Sequence, residues 1–154
     1  MAQPQTPPAN VRLSAEDRWE ISDALARYCV ALDDRRLDDL ETSFTPDLQW
    51  DYAGFGSGSD LDSLREMIRA SLTPITRTQH AMSATQLVTP TSEGVAVRSY
   101  ILAQHVRDGA PAGQLFMVAG WYFDDLVQTP DGWRIARRRY ENAWLEGNPA
   151  VFEA

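Results

Sequence analysis

TQHAMSATQLVTPTSEGVAVRSYILAQHVRDG, residues 78–109, is the stretch that decides the fold. Its β-branched and aromatic side chains run in long alternating segments, and Thr91-Ser92-Glu93-Gly94 and Asp108-Gly109-Ala110-Pro111 interrupt them with turn chemistry. The same texture begins near Thr76 and continues past a third turn, Thr129-Pro130-Asp131-Gly132, which predicts four consecutive strands joined as a meander. Side chains two apart share a strand face. Thr78, His80, Met82, Ala84 and Val88 therefore fall on one side of the first strand, and Val95, Val97, Ile101 and His105 on one side of the next. Both histidines of the chain, His80 and His105, thus point inward among aliphatic neighbours.

Upstream, the periodicity is helical. Ser14 with Asp17 three positions on is a capping-box-like start, and Ile21, Leu25, Tyr28 and Leu32 then recur on one helical face. Asp33-Asp34-Arg35-Arg36 breaks that pattern before Leu37, Leu40 and Phe44 resume it, which predicts a helical hairpin with Asp33 at its bend, closed near Thr45-Pro46. Leu48, Trp50 and Tyr52 alternate as a short strand that enters the loop Gly54-Phe55-Gly56-Ser57-Gly58-Ser59. This loop lacks the Gly-Lys-Ser/Thr ending of a phosphate cradle, so a connector or pocket lid is the better reading. Ser59 with Asp62 would cap a third helix carrying Leu61, Leu64, Ile68 and Leu72. Three helices followed by a mostly antiparallel sheet indicate an α+β domain with the helices on one face of a curved sheet. Residues 1–12 read as a flexible lead, 13–147 as the domain and 148–154 as a tail.

Composition narrows the partners. A chain of 154 residues, 44% hydrophobic and 23% charged, has the make-up of one soluble domain. Its 22 acidic against 14 basic side chains leave a net charge of −8, which repels nucleic acid and anionic membrane surfaces. No apolar run approaches the roughly 18 residues of a membrane helix, and MAQPQTPPAN lacks the order of a secretory signal, so the cytoplasm is expected. The lone Cys29 makes neither an internal disulfide nor a thiolate zinc site.

A single inward histidine usually reads as a core residue satisfied by one partner, but two on adjacent strands point to a polar site inside an apolar cavity. Asp33 or Asp34 would add a carboxylate; the spacing alone leaves open which one turns inward. Tyr28, Trp50, Tyr52, Phe55, Tyr100, Phe116, Trp121 and Tyr122 supply aromatic surface around this region, most of it core. Trp50, Phe55, Tyr100, Phe116, Trp121 and Phe123, with Met82, are the candidate lining for a flat hydrophobic ligand. Arg137-Arg138-Arg139 reads as a solvated edge paired with surplus acids rather than as an anion site.

Over about residues 14–146 the sequence resembles the SnoaL-like branch of the nuclear-transport-factor-2-like superfamily, a cone of helices wrapped by a curved sheet. The resemblance is carried by Tyr28-Cys29-Val30-Ala31-Leu32-Asp33, Trp50-Asp51-Tyr52, Thr78-Gln79-His80 and Asp131-Gly132-Trp133. Within the branch it is most similar to the scytalone dehydratases: the catalytic aspartate, one water-holding tyrosine and both histidines of that family fall on Asp33, Tyr52, His80 and His105. The family's other tyrosine falls on Leu32, and its substrate-contacting serine and asparagine on Trp121 and Phe123, so the substrate should differ from scytalone. The spacing of Tyr28 and Asp33, with His80, also resembles bile acid 7α-dehydratase, and Asp33 with His80 the dyad of hexachlorocyclohexane dehydrochlorinase.

The resemblance implies a cofactor-independent, metal-free elimination on a small hydrophobic cyclic molecule, aromatic, polyketide-like or steroid-like. His80 would be the base, Asp33 its support, His105 the acid, and Tyr52 helped by Tyr28 the polarising group. It also implies a homodimer or homotrimer, in keeping with the aromatic surface that Trp133, Tyr140 and Trp144 add near the C-terminus. Three other readings use parts of the same set: isomerisation or polyketide ring closure, a non-catalytic carrier of hydrophobic ligands, and a metal site of two histidines and a carboxylate.

Overall fold

The helix expected from Ser14 is α1, Ala15–Asp33, and different chemistry closes each end. At the start, the Ser14 hydroxyl accepts from the Asp17 N–H (3.0 Å) while the Asp17 carboxylate accepts from the Ser14 N–H (2.9 Å), a reciprocal capping box. At the other end the Arg36 N–H reaches back to the Ala31 carbonyl (2.9 Å) and the Arg35 N–H to that of Leu32 (3.2 Å), a Schellman closure. Arg35 takes the left-handed position of that motif, φ 60°, a conformation that costs a side-chain-bearing residue roughly 1–2 kcal/mol. The helix therefore stops at Asp33, so the carboxylate projects from its last turn.

The computed structural model describes residues 13–83 and 88–153. The second expected helix is a short 3-10 helix, Leu37–Thr42. After it come β1 (Phe44–Tyr52), β2 (Gly56–Gly58), α2 (Leu61–Leu72), β3 (Arg77–Met82), β4 (Val88–Pro90), β5 (Val95–Val106), β6 (Leu115–Thr129) and β7 (Gly132–Gly147). The N-cap of α2 is Asp60, whose carboxylate accepts from the Ser63 N–H at 2.7 Å, one residue beyond the Ser59 expected to cap it. The proposed lead lies outside the described residues, as does Ala84.

One seven-stranded sheet runs β2-β1-β7-β6-β5-β3, with β4 also on β5. All of its pairings are antiparallel except β1 with β7. The register of β6 against β7 shifts between Ala119 and Gly120, where a Cβ on Gly120 would stand 2.1 Å from the Glu141 carbonyl oxygen, so only glycine fits the bend. This curvature lets α1 and α2 close over the inner face. Ile21, Leu25, Tyr28 and Leu32 of α1, and Leu61, Leu64, Ile68 and Leu72 of α2, are all buried, each set at helical spacing.

The C-terminal part completes the domain and corrects one reading. In the tail, Asn148 caps a 3-10 turn, Pro149–Phe152, with Val151 fully buried, so these residues pack on the domain. Arg137-Arg138-Arg139 lies on a strand between β1 and β6, not on an edge. Arg137 and Arg139 do face outward and pair with Asp125 and Glu141. Alternation turns Arg138 inward, directly opposite Asp124. No described helix is long and apolar enough to cross a membrane.

Candidate functional site

β3 and β5 pair with Thr78 opposite His105 and His80 opposite Ala103, so the two histidines are diagonal neighbours on the inner face. Their ring centroids lie 5.7 Å apart and nearly perpendicular. Asp33, at the end of α1, meets this pair from the helical layer. Its Oδ1 accepts from His80 Nδ1 (2.7 Å) and from the Thr78 hydroxyl (2.9 Å), and its Oδ2 accepts from the His80 backbone N–H (2.9 Å). Asp34 is exposed and pairs with Arg36, so Asp33 is the carboxylate that turns inward.

Burial works to raise the pKa of Asp33, but the hydrogen bonds and charge of His80, with Thr78, outweigh it and hold the carboxyl below its ordinary value. An ionised carboxylate only accepts, so Nδ1 of His80 carries a proton, and in the neutral ring the lone pair is then on Nε2. His105 differs. Burial first, then the neighbouring His80, push its pKa down to about 4, and its Nδ1 is buried without a hydrogen-bond partner among the described residues. It is therefore a neutral imidazole near pH 7, able to offer a hydrogen bond but not a stored proton.

Facing the histidines is a cluster of phenols. The Tyr52 hydroxyl donates to that of Tyr28 (3.3 Å), which shares a 3.0 Å hydrogen bond with Tyr122. Burial raises all three pKa values, so the rings stay protonated. Three hydroxyl protons and two internal bonds leave one O–H free to donate. Arg138 stacks on Tyr122 (4.0 Å) and Tyr28 (4.4 Å) and forms a fully buried bidentate pair with Asp124 (2.7 and 2.8 Å).

The cavity between these groups holds about 70 Å³ of room for water-sized molecules. Tyr28, Tyr52, Tyr122, Tyr140, Ser71, His80 and His105 are its polar lining residues, and Leu32, Met67, Ile68, Leu72 and Val118 form most of its apolar wall. Phe55 also lines it while staying 39% exposed, and its ring meets Phe152 at 6.1 Å.

Of the expected lining, Phe55 alone reaches the cavity. Tyr100, Trp121 and Phe123 stand on the outer face of the sheet, where Arg98 stacks on them at 5.2–5.8 Å, because the inward parity of β5 and β6 belongs to Ile101, Ala103, Val118 and Tyr122. Trp50 is buried to one side, its indole N–H on the Ser63 hydroxyl of α2 (3.0 Å). Met82 is half-buried at the end of β3, and Phe116 packs behind Phe152. The expected set lacked the α2 residues and Phe152. Tyr122, one of the aromatic residues expected around the site, does line the cavity, by the same alternation that turns Asp124 and Leu126 inward. Among the described residues no group of three or more His, Cys, Asp or Glu is placed to hold a metal ion.

Helices closing over the inner face of a curved sheet, with an inward His–Asp pair beneath them, define the class: a cone-shaped α+β domain built around a cavity. Residues 13–139 match the SnoaL-like domain, and the chain belongs to that family. An uncharacterized protein of Mycobacterium tuberculosis is 34% identical over 125 residues, covering 79% of this chain and 82% of its own. A solved protein of Kribbella flavida superposes with TM-score 0.81 at 27% identity, covering 92% of this chain and all of its own. Two others share the fold at lower identity. One, from Novosphingobium aromaticivorans and provisionally assigned as a scytalone dehydratase, has TM-score 0.77 and 22% identity over 86% of this chain and 88% of its own. The other, a hexachlorocyclohexane dehydrochlorinase, has TM-score 0.75 and 16% identity over 92% and 97%.

Proposed function

We propose that this protein is a cofactor-independent lyase that eliminates water from a small hydrophobic cyclic molecule bearing a hydroxyl β to an acidic C–H, with His80 as the base. The observation that carries this reading is the 2.7 Å contact of His80 Nδ1 with Asp33, which makes Nε2 the lone-pair nitrogen of the neutral ring, with the Tyr28 ring 6.4 Å from the imidazole between centroids. Names among the structural neighbours, a dehydratase and a dehydrochlorinase, agree with it.

In this reading the free phenolic O–H of the Tyr28–Tyr52–Tyr122 group hydrogen-bonds the substrate carbonyl, so negative charge that develops on that oxygen meets a donor already in place. His80 Nε2 takes the α-proton, and Asp33 stabilises the imidazolium. The C–O bond to the β-hydroxyl breaks as the double bond forms. His80 returns its proton to the departing oxygen, water leaves, and the neutral base is restored. His105, uncharged, steadies the departing oxygen by hydrogen bonding. A ring-sized molecule exceeds the room in the cavity, so Phe55 and Phe152 would have to swing aside to admit it. Isomerisation or ring closure would use the same base and phenol without loss of water.

The test is to incubate the protein with a panel of cyclic β-hydroxy ketones and follow conjugated enone by absorbance, comparing wild type with His80→Ala. Water loss that depends on His80 supports the reading. Rearranged product of unchanged mass would favour isomerisation, and ligand binding without turnover would favour a carrier.

A further inference from the structure

Arg35 follows the C-cap Asp34 of α1, at the left-handed position where glycine is the usual residue. A chain that keeps arginine at such a position gives up backbone ease in return for a side chain. That side chain donates from Nη2 to the Ile75 carbonyl at 3.1 Å. Ile75 belongs to the segment between α2 and β3, and the next residue, Thr76, is pinned to β5 through its N–H on the Val106 carbonyl at 2.7 Å. Arg35 therefore ties the end of α1 to the root of β3.

Asp33 and its donors straddle this tie. The carboxylate lies just before Arg35, and Thr78 and His80 lie just after Ile75. Neighbouring cations are otherwise engaged: Arg36 with Asp34 and Asp39, and Arg77 with Asp108. Among the described residues Arg35 has no carboxylate within ion-pair distance, while its charge acts on both Asp33 and His105.

We propose that Arg35 is a positioning residue: a strut from the cap of α1 to the root of β3 that keeps the Asp33 carboxylate in register with the His80 ring. The inference rests on Asp33 and His80 being the working pair, but its test needs no turnover. The chain has 2 histidines, so nitrogen-15 histidine labelling of the full protein resolves both rings by NMR. The signal to follow is the His80 Nδ1–H that Asp33 accepts.

Arg35→Gly relaxes the backbone and deletes the strut. Its thermal midpoint should hold or rise, while exchange of that proton with water should accelerate about tenfold or more, the scale of weakening a hydrogen bond to a charged group. Arg35→Asn, which also tolerates the left-handed backbone, should behave alike, and Arg35→Lys should recover part of the protection. Unchanged exchange in the glycine and asparagine variants overturns the proposal. Faster exchange matched by an equal loss of global stability also overturns it, since Arg35 would then be a general fastener. If the elimination reading alone is wrong, these signals still respond to Arg35 while His80→Ala leaves turnover unchanged.

Discussion

Asp33 grips His80 at two points, the ring Nδ1 at 2.7 Å and the backbone N–H at 2.9 Å. A single ring contact would fix a tautomer. The added backbone contact fixes where the strand carries that ring, because it ties the last turn of α1 to β3 itself. Orientation and protonation state are therefore set by one carboxylate, which makes the pair sensitive to small changes in it.

Asp33→Asn keeps the shape but has one oxygen to serve the three donors that now reach Asp33, and its amide lets His80 adopt the opposite tautomer. Turnover of a substrate found by the ketone panel should fall about 10²–10⁴-fold, the usual contribution of positioned acid–base catalysis. Steady-state kinetics checks this, and a rate within a few-fold of wild type would remove Asp33 from the mechanism.

The two histidines should not be equivalent. His80→Ala removes the base and should lower kcat about 10²–10⁴-fold. His105→Ala removes only a neutral hydrogen-bond donor, worth about 2- to 10-fold. Side-by-side kcat measurements decide the matter, and equal losses would mean that His105 supplies a proton after all.

Much of this site was legible because period-two alternation is robust where a strand has one wet and one dry face. The inward His80 and His105 followed from it, and the helical face ending at Asp33 followed from the 3.6-residue period of Ile21, Leu25, Tyr28 and Leu32. The choice between Asp33 and Asp34 did not, because it depends on a cap whose left-handed residue is an arginine, where sequence normally signals with glycine. Tyr100 failed for a different reason: its own strand's alternation already placed it outside, and its aromatic character suggested a pocket. Arg138 was misread because a run of charge looks like a surface until the register across the β6–β7 hairpin sets it opposite Asp124. Phe152 depends on how the chain returns after β7, which no local pattern encodes.

Stability should rise with pH between about 4 and the ordinary histidine value. The folded pKa of His105 is depressed, so in that window the unfolded chain binds the proton that the folded chain excludes. The contribution is on the order of 2–4 kcal/mol, complete above about pH 6.5 and lost as pH falls toward 4. Asp33 acts in the same direction but lower, since its depressed pKa stabilises the fold above the ordinary carboxylate value and loses effect below it. Urea unfolding from pH 4.5 to 7.5 should show the slope in wild type and a flatter one in His105→Gln; identical slopes would contradict the assignment.

The buried Arg138–Asp124 pair should be costly to break and cheap to replace. Burial raises Asp124, and the guanidinium opposes it, so each charge is tolerated only because of the other. Arg138→Met alone should cost about 3–5 kcal/mol by chemical denaturation, as should Asp124→Leu, because each leaves an uncompensated buried charge. The double variant should recover most of that loss. If its cost equals the sum of the single changes, the two residues act independently.

The outer face of the sheet carries the last prediction. Tyr100, Leu102 and Trp144 are 57%, 45% and 48% exposed, and Trp121 and Phe123 lie half-buried beside them. Arg98 stacks on the rings but has no carboxylate within ion-pair distance among the described residues, while Glu146 stands exposed on the same face of β7, opposite Met117. A patch bearing apolar rings, a spare cation and a spare carboxylate is complementary to itself, so we propose a second copy of this chain as its occupant. Light scattering at micromolar concentration should give two or three times the 17.3 kDa chain mass. Tyr100→Glu, which sets a carboxylate among the rings without touching the inner face, should shift the protein toward monomer and leave the His80 and His105 NMR signals in place. A wild-type monomer would refute the interface, and so would a Tyr100→Glu oligomer of unchanged size and affinity.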